Sequence, residues 1–137
     1  VGYRRYHRAP VLWQTVPPLD DHRFHRYDLV KQRMQDADPL APLRIDLAAT
    51  LRRGNAVWLV GEIDIPPPGT PPPVLPPAPH PETGWLDVPY RTAWSRQLGA
   101  YLRDHARGGE QIALPAPSPV SGYEDVQLLV VRGWRGP

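Results

Sequence analysis

APLRIDLAATLRRGNAVWLVGEIDI, residues 41–65, is the stretch that decides the fold. Pro42 suits a first helical turn, where its missing N–H costs nothing. Leu43, Leu47, Ala48 and Leu51 recur at helical spacing, and Gly54 fits the position just past a helix end. These signals predict a helix over 42–53. Ala56 to Ile63 then form a nearly continuous apolar run of strand length, which predicts a strand buried on both faces, as in a parallel sheet covered by helices. Helix, tight turn and buried strand make half of an α/β layer.

Working outward, Phe24, Tyr27, Val30 or Lys31, and Met34 fall at helical spacing, with Asp20 or Asp21 available as N-cap and Pro39 as terminator. A helix over 21–35 is expected. Downstream, Tyr90, Trp94, Gln97 or Leu98, Tyr101 and His105 line one face of a helix expected at 88–107, with Gly108-Gly109 to stop it. Strands are expected at 110–115 and 126–134. The order predicts a right-handed crossover from the first strand to the second, with the last strand antiparallel at an edge. The fold class is α/β: a small single-domain sandwich with a mixed sheet of three or four strands.

Between the first strand and the long helix lies IPPPGTPPPVLPPAPHPETGW, residues 65–85, which holds half of the chain's 20 prolines. A spacer would need a folded domain on each side, yet the flanking strand and helix need each other. We read 65–86 as an ordered insertion within the crossover, because loop-closure cost rises slowly with length. Its alternative reading is a PxxP ligand for an aromatic groove.

With 137 residues, one domain is expected over 1–137. There is no cysteine, which excludes disulfides, thiolate metal sites and a cysteine nucleophile. The net charge is +2, and no apolar run approaches the ~20 residues that span a bilayer. Residues 1–18 read as an extended basic and aromatic arm containing YRRYHR. Because the chain starts at Val1, it is expected to be cut from a longer one.

No glycine-rich phosphate loop, GxSxG or HExxH is present. Glu62 and Asp64 follow a strand at its C-terminal end, where open α/β sheets place ligands. Two close carboxylates there suit a cation or acid–base work; solvation of the strand's exit is the plainer reading. His80, Trp85, Asp87, Tyr90 and Arg91 crowd the loop–helix junction. Flat rings stack on sugar faces and arginine grips anions. Trp94, by its spacing to Leu98 and Tyr101, reads as core. His22 and His25 form an HxxH pair too sparse to define a metal site. Neither a metal nor a cofactor is expected, and without a basic patch beyond YRRYHR no nucleic acid is expected either.

RIDLAATLRRGNAVWLVGEI, the helix YRTAWSRQLGAYLRDH and the closing YEDVQLLVVRGW together resemble the soluble tail of bacterial polytopic membrane glycosyltransferases of the dolichyl-phosphate-mannose-protein mannosyltransferase-like type. The resemblance covers about 43–134 and rests on hydrophobic blocks. It implies an accessory domain on the extracytoplasmic face of a bacterial inner membrane, attached to an upstream transmembrane region of the same chain. Its partner would be a glycan or a polyprenyl-phosphate sugar. The family's catalytic acid sits in a loop between membrane helices that this chain lacks, so the resemblance implies no catalytic residue here. An interaction or structural module using the proline-rich loop or an edge strand is the alternative.

Overall fold

The computed structural model describes residues 11–21, 26–61, 64–113 and 126–136. Within them the elements run α1 (Tyr27–Arg33), α2 (Ala41–Arg52), β1 (Val57–Val60), α3 (Asp87–His105), β2 (Ala106–Gln111) and β3 (Leu128–Trp134). Helices pack against a three-stranded sheet, a small α/β domain as the hydrophobic patterning predicts.

The deciding stretch folds as its residues dictate. Pro42 stands in the first turn of α2, and Leu43, Leu47, Ala48 and Leu51 are buried. At its end the Gly54 amide reaches Leu51 O and the Asn55 amide reaches Thr50 O, with Gly54 at φ +80°. This double closure satisfies carbonyls that the helix leaves open, and its left-handed residue is one glycine adopts without strain.

β1 differs from expectation on one face. Val57 is buried and Leu59 packs on the core, but Trp58 and Val60 are 55% and 57% exposed. The reason is the sheet's topology. The strand order is β1-β3-β2, with β3 antiparallel to both neighbours. Every pairing among the described residues is therefore antiparallel rather than mixed, and β1 is an edge strand, so Trp58 and Val60 stay exposed while Val130 beside Trp58 on the central strand is buried. The last strand lies in the centre, not at an edge. β1 and β2 run parallel to each other with β3 inserted between them, so α3 bridges strands that do not touch, a split βαβ arrangement.

The second correction concerns the end of α3. Gly108 and Gly109 do not stop the helix; they lie inside β2, paired with Arg132 and Val131. The helix ends at His105, and Ala106 is already extended and paired with Trp134. The Arg135 amide donates to His105 O at 2.7 Å, and His105 Nδ1 donates to Gly136 O at 2.9 Å. Tertiary partners end this helix, so β2 begins four residues earlier than the expected 110. At the first helix, residues 22–25 lie outside the described set. The described α1 begins at Tyr27, without a side-chain cap, and Asp21 pairs with Arg26 at 2.9 Å.

The core is a single cluster. Met34 and Leu40, from the α1–α2 connection, meet Leu43, Leu47 and Leu51 of α2 and Tyr90, Trp94, Leu98 and Leu102 of α3, over Val57 and Val131 of the sheet. Beside it Tyr101, His105 and Trp134 form an aromatic cluster, with the His105 ring stacked on Trp134 at 5.2 Å and Arg52 over the indole at 4.6 Å. Burial raises the Tyr101 phenol above its usual pKa, and its hydroxyl donates to Arg44 O.

Candidate functional site

α3 carries the proline segment along its outer side. The chain leaves β1 and crosses α3 at Gly99. There a side-chain carbon would lie 2.1 Å from Asp64 O, so only glycine admits the crossing. The segment turns at Pro67–Thr70: the Thr70 amide donates to Pro67 O at 3.1 Å, and Gly69 sits at φ +80°. Proline at the second position and a left-handed glycine at the third are the requirements of a type II turn.

Arg103 holds this turn. Its Nη1 donates to Pro66 O at 3.1 Å and Pro67 O at 2.7 Å, and Thr70 O lies 3.4 Å away. Its Nε and Nη2 are meanwhile occupied by Asp104 at 2.7 and 2.9 Å. The forked guanidinium thus engages a carboxylate on one edge and the turn on the other. Hydrogen bonding to Arg103 holds the Asp104 carboxyl below its ordinary pKa.

Beyond the turn the chain returns antiparallel to α3. Gln97 Nε2 donates to Pro73 O at 2.7 Å, and the Tyr90 hydroxyl donates to Pro76 O at 3.1 Å. The Ala78 amide then reaches Met34 O at 2.8 Å. Seven residues of α-helix rise about 10.5 Å, while three residues of polyproline II rise about 9.3 Å. The two rises agree to about 1 Å, which suits anchors seven residues apart on the helix, Tyr90 and Gln97, to carbonyls three apart on the strap, Pro76 and Pro73.

Exposure along the strap confirms a three-residue period. Pro72, Leu75 and Ala78 face the protein; Pro71, Val74 and Pro77 face out, as do Pro73 and Pro76. Proline fixes φ near −65° and pushes the residue before it to extended backbone. Between strap and helix, Met34, Val74, Leu75, Tyr90 and Trp94 line a void of about 20 Å³, room for one water.

The described residues among those singled out from sequence do not form one site. Tyr90 is 2% exposed, its ring in the core against Trp94 at 6.0 Å, and is closed to ligand stacking. Its helical spacing to Trp94 places both on the inward face. Asp64 pairs with Arg96 at 2.6 Å, and its amide approaches Ser95 Oγ at 3.4 Å. Asp87 and Arg91 pair at 3.5 Å at the start of α3, beside exposed Trp85. Asp87 and Ser95 are eight helical residues apart, about 12 Å. Asp64 and the junction therefore do not meet over one substrate. His80 lies in a small turn bridged to Gly84, where His80 Nδ1 and Thr83 Oγ1 are buried without a hydrogen-bond partner among the described residues. Glu62, His22, His25 and YRRYHR lie outside the described residues. Among the described residues no group of His, Asp and Glu is placed to hold a metal ion, and no helix is long and apolar enough to cross a membrane.

Gln97 and Arg103, which anchor the strap, carry no motif: Gln97 shares the helical spacing of Tyr90 and Trp94, and nothing in the sequence marks Arg103. No family model matches this chain, and neither does any curated protein or solved structure.

Proposed function

We propose that this domain is a non-catalytic interaction module whose contact surface is the proline strap. The observation that carries this reading is the strap's three-residue exposure period: one face is committed to α3 and two are presented to solvent. A loop that only connected β1 to α3 would not need to be held at Arg103, Gln97 and Tyr90. The dispersal of the carboxylates and His80 supports a binding role over a catalytic one. The test is Val74→Glu. Val74 is 77% exposed, so the fold should keep its melting temperature. In affinity capture from cells that express the chain natively, V74E should lose a partner that the wild type and Trp85→Ala retain. Equal capture by V74E overturns the reading.

A second reading keeps a glycan contact at the other end of α3, as in an accessory domain of a membrane glycosyltransferase. It is favoured by Trp85, Leu86 and Val88, which are 44%, 65% and 64% exposed beside the Asp87–Arg91 pair. Here Trp85→Ala, and not V74E, should abolish retention on an immobilised mannose oligosaccharide.

A further inference from the structure

We infer that the strap is a preformed polyproline II ligand for an uncharged, aromatic-lined groove on a protein partner, read through the dipeptides Pro73-Val74 and Pro76-Pro77. This rests on the strap being the contact surface. The two exposed faces meet in those dipeptides, which repeat after three residues, one turn of polyproline II, about 9.3 Å. Grooves of this class take two such ridges side by side between aromatic rings and donate hydrogen bonds to ligand carbonyls. The carbonyls of Pro73 and Pro76 are occupied by Gln97 and Tyr90. Those of Val74 and Pro77, one position on, accept no hydrogen bond among the described residues and are open to such donors.

Residues 65–79 carry no charged side chain, and the flanking Asp64 is already paired with Arg96. The groove therefore has no need of an acidic pocket, and binding should be insensitive to salt. Because α3 already fixes the backbone, the ordering cost of a free peptide is largely absent.

The experiment titrates the isotope-labelled 137-residue chain with a purified WW domain and, separately, a purified SH3 domain, followed by NMR. A synthetic peptide of residues 70–79 is run beside it. At least one domain should bind the chain saturably and no more weakly than it binds the peptide, with shifts centred on Val74 and on Tyr90 and Gln97 beneath the strap. Val74→Glu should weaken binding at least about tenfold, Trp85→Ala should leave it unchanged, and about 50 to 500 mM salt should change it less than twofold. Binding of the peptide but not the chain, binding of neither, or shifts mapping away from the strap overturns the inference. If V74E still loses its partner in cells while both domains fail, the strap remains the contact surface and only this class of partner is wrong.

Discussion

A methyl group at position 99 would sit 2.1 Å from Asp64 O, 2.9 Å from Asp64 C and 3.0 Å from Ile65 Cα. All three are backbone atoms, so no side chain can swing aside. Overpacking costs about 1–3 kcal/mol, against about 1 kcal/mol gained by replacing glycine within a helix. Gly99→Ala should therefore lower stability by up to about 2 kcal/mol, read as a lower denaturant midpoint; an increase would mean that the crossing lies elsewhere. Tyr90→Phe keeps the buried ring and removes only the hydroxyl that meets Pro76 O. A loss of about 1 kcal/mol is expected, with strap resonances moved more than those of the sheet.

At the scale of elements, the helices were legible because each carries its own punctuation. Pro42, the leucine stripe and Gly54 define α2 from sequence alone, and Pro89 with the Tyr90–Trp94–Leu98 spacing defines α3. What could not be read depended on residues distant in sequence. Gly108-Gly109 looks like a helix stop, yet Arg135 and Trp134 end the helix first. Tyr90 reads both as a junction residue suited to a sugar face and, by its spacing to Trp94, as core; the fold buries it at 2% exposure. The strap's anchors join residues 14 to 37 positions apart, a relation that no local pattern encodes. Two arginine–carboxylate pairs, one at the strap and one at α1, carry a pH dependence. Asp104 is held below its usual range by Arg103, and Asp28 is lowered to about 2 by its hydrogen bonds from Arg26. The folded chain thus binds fewer protons than the unfolded one near these groups. Their contribution is present above the ordinary carboxylate pKa, about 3.9, and is lost as pH falls through the depressed folded values. The melting temperature should fall on acidification from about pH 5 to 2. Asp104→Asn should show a smaller fall, because its part is already missing at neutral pH; an identical fall would show that the Arg103–Asp104 pair is neutral for stability.

At the scale of the whole molecule, the sheet face away from the core is exposed along the edge strand and closed at the central one, where Val130 is 2% exposed. Trp58 and Val60 on the edge strand β1 expose an uncharged VWLV segment, while the other edge, β2, carries Arg107 and Glu110. Charged edges resist further strand pairing and apolar ones invite it. The central position of β3 has a consequence for how the chain is made. Among the described residues β1 and β2 pair only with β3, so this sheet cannot close until residues 128–134 have left the ribosome. β1 then waits through about 70 further residues, several seconds of synthesis at ordinary elongation rates. A nascent chain stalled before Leu128 would hold VWLV with no strand to receive it, which makes the last strand to appear the one that decides whether the first aggregates or folds.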